Sequence, residues 1–300
     1  MPLAPLQQQI LTRMREENQR SGFPFAPGKF WEDELRYFNK AMQAFGINGV
    51  EDEYYNTRFS GVTPDDHRLF HWFMWTYYQL LQQRDVLNLL DTITVTMAEK
   101  PSYIPAVDGK PMSVSATVDI NGKRYSPDML FSIDDFYNLH ELNPGIATEA
   151  VTVADLGSGW GRIGYLLLQI NPKVSYIVLD LPEPLLISST YLPKLLPDCS
   201  VADYLYGLDQ PFLDRGRLLQ KNLWFLGAQD IQKIAAGSID YFINVASFQE
   251  MSLAQTNAYL GWAGKVSQGG HVYLRNGWEH TVPHTAQFSE YEIPAGWQRA

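Results

Sequence analysis

Apolar residues four apart open the chain. Leu6, Ile10 and Met14 share one face of a helix predicted over residues 5–20. A Gly/Pro-rich break from Ser21 to Gly28 interrupts the pattern, which resumes over 29–45 through Phe30, Leu35, Phe38 and Met42. Asp65 and Asp66 then lead a long aromatic helix to about residue 90, their charges favoured at the positive end of the helix dipole. Phe70, Trp72, Phe73, Trp75, Tyr77, Tyr78, Leu80 and Leu81 cover most of its sides, which predicts burial or packing against a partner. Over 113–131 the period drops to two: Val114, Ala116, Val118 and Ile120 alternate with polar residues, and Asn121-Gly122 predicts a hairpin turn. A short helix over 133–142 and the breaker Asn143-Pro144-Gly145 lead to a junction.

From residue 151 onward, strands alternate with helices. The predicted strands are 151–156, 174–180, 223–226, 239–245 and 270–275; the helices between them are 161–170, 183–196, 229–236 and 253–267. Pro182 and Pro184 suit the start of the second of these helices, where a missing N–H costs little. Such alternation predicts an α/β fold with a mostly parallel, doubly wound sheet and ligands beyond the strand carboxyl ends. The chain therefore divides into a mainly helical region with a β-hairpin, 1–145, and a sheet domain, 146–300. The first is expected to serve as a substrate lid or a dimerisation region. The long connection 200–222 is of the kind that shapes a substrate site.

Composition narrows the chemistry by exclusion. Three hundred residues, 45% hydrophobic and 19% charged, can bury a large core in one domain or two modest ones. Net charge is −10 and no basic stripe interrupts it, which argues against nucleic acid or an anionic membrane as partner. No apolar run is long enough to cross a bilayer, and the first residues lack a secretory pattern. Cys199 is the lone cysteine, which excludes an intrachain disulfide and a cysteine-built zinc site. A cytoplasmic protein acting on a small neutral or cationic molecule is the expectation, with self-association left open.

The candidate chemistry sits in Val151-Thr-Val-Ala-Asp-Leu-Gly-Ser-Gly-Trp-Gly-Arg162. It reads as an apolar strand, an acid, a glycine-rich turn and a helix start. Gly157, Gly159 and Gly161 allow sharp bends and close approach of a ligand to the backbone. The next strand closes on Asp180, where an acid commonly grips a ribose diol. A nucleoside-type cofactor is implied. Gly159-Trp-Gly-Arg-Ile-Gly164 also matches the dinucleotide pattern GxGxxG. Asp155, just before the first glycine, weighs against it, because a carboxylate there repels a pyrophosphate and attracts an ammonium group.

The run Asp155-Leu-Gly-Ser-Gly-Trp-Gly161 resembles the first motif of class I S-adenosylmethionine-dependent methyltransferases. The resemblance spans the C-terminal half and implies their Rossmann-like sheet, with S-adenosyl-L-methionine as cofactor. It places the methionine end of that cofactor at Asp155, Gly157, Gly159 and Gly161, flanked by Ser158 and Arg162, and the ribose at Asp180 beside Leu181. Gln229 and Asp230 would flank the adenine, although Asp230 equally suits a helix cap. Asn244 and Ser247 would line the reactive end. Asp180-Leu-Pro-Glu-Pro184, Ile239–Met251, Ser132–Tyr137 and Trp31–Tyr37 look like a narrower bacterial group, the sugar O-methyltransferases. A sugar hydroxyl is a weak acid and needs a base or a metal. Glu250 and His280 are the leading candidate bases, with His284 and His140 behind them. No residue spacing suggests a metal site. Other readings stay open: a phenol, amine or carbon acceptor, an NAD-dependent oxidoreductase, or a binding module without catalysis. The family's sheet ends in a reversed strand pair, for which only 276–300 remain, with Phe288–Ile293 as strand candidate.

Overall fold

The computed structural model describes residues 5–29, 31, 32, 35, 39, 64–85, 87–92, 118–125, 127–277 and 286–298. His280, His284, and most of the helix predicted over 29–45 lie outside the described residues, as do 113–117 of the hairpin region. The chain packs as two units, Ala4–Arg36 with Leu142–Ala300, and Tyr37–Glu141. The N-terminal helix belongs to the unit that carries the sheet.

That helix, α1 (Pro5–Ser21), buries Leu11, Met14 and Asn18. Leu6, expected on the buried face, is 63% exposed. The Tyr37–Glu141 unit holds α2 (Pro64–Gln82), α3 (Leu89–Thr92), the hairpin β1 (Val118–Ile120) and β2 (Lys123–Tyr125), and α4 (Pro127–Leu142). The hairpin turns at Asn121 and Gly122 with φ of 54° and 77°, as the dipeptide requires. α2 stops well short of residue 90. Asp85 accepts hydrogen bonds from the Leu89 and Leu90 N–H groups and so starts α3 instead. Met74, Tyr78 and Leu81 bury one face of α2, whereas Trp72, Phe73 and Trp75 are exposed. Arg84 ties α2 to α4 by hydrogen bonds to Asp134, Asn138 and Glu141.

The second unit continues with β3 (Thr152–Leu156), α5 (Arg162–Ile170), β4 (Ser175–Asp180), α6 (Pro182–Leu195), β5 (Val201–Ala202), α7 (Tyr204–Leu208), α8 (Arg215–Leu218), β6 (Leu223–Gly227), β7 (Tyr241–Val245), α9 (Leu253–Val266) and β8 (His271–Arg275). The strands form one sheet in the order β5-β6-β4-β3-β7-β8, every pair parallel. This is the doubly wound, Rossmann-like α/β architecture expected. Strands covered on both faces are mostly apolar. β3, β4 and β6 are accordingly buried at every position.

Three elements depart from expectation. The connection 200–222 holds β5, α7 and α8, the helices being capped by Asp203 and Asp214. Residues 228–233 form a 3-10 turn, not an α-helix. Phe288–Glu290 is also a 3-10 turn, capped by Gln287 and Glu290, so the strand predicted there is absent. Among the described residues the sheet ends at β8.

Gly164 lets α5 lie on the sheet, since a Cβ there would overlap the ring of Tyr176. Gly164→Ala should cost about 1–3 kcal/mol in denaturant unfolding, the usual penalty for overpacking. Gly261, in α9, has open space around it. Gly261→Ala should instead stabilise by about 1 kcal/mol or less, through helix propensity alone. Equal effects of the two substitutions would contradict this packing.

Candidate functional site

β3 sits at the point where the winding reverses, with β4 on one side and β7 on the other. In such sheets the crevice beyond the carboxyl ends at this reversal accepts ligands. The glycine-rich turn fills the rim of that crevice. Gly157 N–H donates to the Leu179 carbonyl at 2.8 Å, and Gly159 N–H to the Asp180 carboxylate at 2.8 Å. Gly157 has φ of 73°, and any side chain on it would overlap Ser247. Gly161 starts α5 with φ of 87° against Leu192, so neither position admits a Cβ.

Three carboxylates meet here. Asp155 is 3% exposed and accepts a hydrogen bond from the Tyr176 hydroxyl. Asp180 is 5% exposed and accepts from Gly159 N–H and, at 2.7 Å, from Leu181 N–H. Glu250 is 8% exposed, at the end of a short turn after β7. Burial pushes the Asp180 carboxyl up to about 7, against the pull of its two N–H donors, and the charges of Asp155 and Glu250 push the same way. Among the described residues no group of three or more His, Cys, Asp or Glu is placed to hold a metal ion.

The remaining expected residues divide by role. Ser158 lies 3.3 Å from the Tyr176 hydroxyl, and Leu181 supplies the N–H that holds Asp180. Arg162 is half-buried at the start of α5. Ser247 packs on Gly157. Asn244 is wholly buried, donating to the Leu156 carbonyl and accepting from Phe248 N–H and Asn276, which ties β7 to β3. Asp230 takes the capping role: one oxygen accepts from Gly227 N–H and the other pairs with Lys233 at 2.9 Å. Gln229 folds against Gly227 and accepts from Asn18 at 3.3 Å. His140 lies in the Tyr37–Glu141 unit against Phe136.

Several participants carry no sequence motif. Ala246, at the end of β7, has φ of 59°, a strained conformation for a residue with a Cβ. It delivers Ser247 to the glycine turn. The segment from α1 to Gly28 straps the elements that follow three strands. Arg15 pairs with Glu183 after β4, Asn18 bonds Gln229 after β6, and the Pro24 and Ala26 carbonyls accept from Gln255 of α9, after β7. Phe25 is buried edge-on to Tyr259, whose hydroxyl proton is held more tightly by burial and by the charge of Asp180.

No protein-family model matches the chain, and no curated protein matches it. Among solved structures, the chain is similar to a provisionally assigned S-adenosyl-L-methionine-dependent methyltransferase of Methanococcus maripaludis. The two are 19% identical with a TM-score of 0.30, over 47% of this chain and 52% of that one. The chain thus spans about half the length of that structure. No described helix is long and apolar enough to cross a membrane.

The Asp180 carboxyl titrates near 7 when folded, against about 3.9 in an unfolded chain. Between those values the folded state holds one more proton, so this residue lowers stability as pH rises from 4 to 7. Asp180→Asn removes that loss. Measured by thermal unfolding from pH 5 to pH 8, the variant should gain on the wild type as pH increases. A difference independent of pH would rule out Asp180 as the titrating group.

Proposed function

We propose that this protein is an S-adenosylmethionine-dependent methyltransferase that methylates a hydroxyl of a sugar or another small polar metabolite. The convergence of Asp155, Asp180 and Glu250 on a glycine turn at the sheet's reversal point carries the reading. A buried acidic crevice favours a ligand bearing an ammonium and a sulfonium, and disfavours the pyrophosphate of a dinucleotide. In this reading Asp155 receives the ammonium group and Asp180 the ribose hydroxyls. Gly157 and Gly159 let the ligand approach the backbone closely.

When bound, the cofactor supplies an activated methyl group, so the chain's task is to orient the acceptor and remove its proton. Glu250 is the proton acceptor proposed, because it is the carboxylate at the β7 end of the crevice. The sugar-directed specificity is supported by the resemblance of the Asp180–Pro184 and Ile239–Met251 segments alone.

Titration calorimetry with S-adenosylhomocysteine and with NAD tests the cofactor. Binding of the first is expected, weakened strongly by Asp155→Ala; tight binding of NAD alone would overturn the reading. For an acceptor that turns over, Glu250→Gln should slow single-turnover methyl transfer by about 100-fold or more, the usual weight of a general base. Transfer at the wild-type rate would remove Glu250 from that role.

A further inference from the structure

Tyr176 is the second residue of β4, in register between Val153 of β3 and Leu223 of β6. Its side chain is wholly buried, its ring fits the space left by Gly164, and its hydroxyl meets the glycine turn from beneath. The hydroxyl has one proton, which it donates in a hydrogen bond to Asp155. The oxygen of Tyr176 is in turn in contact with the Ser158 hydroxyl at 3.3 Å. Since the Tyr176 proton points to Asp155, Ser158 is the donor in its contact with Tyr176. Burial and the Asp155 charge keep the phenol protonated. The network is therefore directional: serine to tyrosine, tyrosine to carboxylate.

We infer that Tyr176 is a positioning residue that aims the Asp155 carboxylate at the ammonium group of the ligand. The inference rests on the cofactor reading above and extends it to a residue with no motif of its own. A carboxylate offers about four lone-pair sites, so one hydrogen bond from Tyr176 restrains its rotation and leaves capacity for a cation. Gly164 has a part in this arrangement: its missing side chain admits the tyrosine ring.

The test compares two ligands that differ at the relevant end. S-adenosylhomocysteine carries the amino-acid ammonium, whereas 5′-methylthioadenosine has the same nucleoside without it. Tyr176→Phe keeps the ring in place and removes the donor. Its Kd for S-adenosylhomocysteine should rise by about tenfold or more, the usual effect of losing a hydrogen bond to a charged group. Its Kd for methylthioadenosine should stay within twofold. In an Asp155→Asn background, Tyr176→Phe should add little. Ser158→Ala, which leaves the tyrosine in place, should give the same ligand selectivity with a smaller effect. That variant answers the question if Tyr176→Phe does not fold. Equal weakening for both ligands would mean a structural role only and would overturn the inference, as would unchanged affinity for both. Wild-type protein binding neither ligand would overturn the cofactor reading itself, and the inference with it.

Discussion

The hydrogen bond from Gly159 N–H to the Asp180 carboxylate is the constraint around which the site is organised. It joins the tip of the turn after β3 to the last residue of β4. A turn with positive φ at Gly157, Gly159 and Gly161 needs an anchor to hold one shape, and this bond supplies it. The same carboxylate also accepts from Leu181 N–H, at the start of α6. One side chain therefore sets the path of the turn and the start of a helix. Asp180 sits in a place where its charge is costly, as its elevated pKa records.

The burial of Asp155 and Glu250 near it compounds that cost. Their charges in a low-dielectric crevice raise the proton affinity of Asp180, a cost that a cationic ligand would relieve. In the reading proposed above, the electrostatic field of the crevice selects between cofactor classes more than the shape of the glycine turn does, since glycines permit close approach by either class.

A distant part of the chain straps the carboxyl edge of the sheet. Residues of α1 and the segment to Gly28 contact the elements after β4, β6 and β7, all of which leave the sheet at its carboxyl edge. Glu183 is 4% exposed on its side chain and pairs with Arg15, so removal of α1 would leave a buried carboxylate without this partner. The strap and the sheet are therefore one structural unit, although more than a hundred residues separate them along the chain.

The apolar strands, the glycine turn and the acids at 155 and 180 were legible from sequence because each rests on local chemistry. A strand buried on both faces is mostly apolar along its length, and a turn with positive φ favours glycine. Short elements were less legible: β5, α7 and α8 have too few residues for a period to show, and the segment at 288–290 alternates like a strand yet is capped as a turn. Roles that depend on partners far along the chain were not legible at all. Asp230 suited both a cap and an adenine contact until Lys233 and Gly227 N–H were seen to occupy it. In sequence, Tyr176 is one more strand residue. The sequence by itself determined which elements form and that an acidic, glycine-lined edge exists. Tertiary structure alone decided which side chains meet there, because hydrogen bonds between strands and across the strap depend on register and packing, not on local pattern.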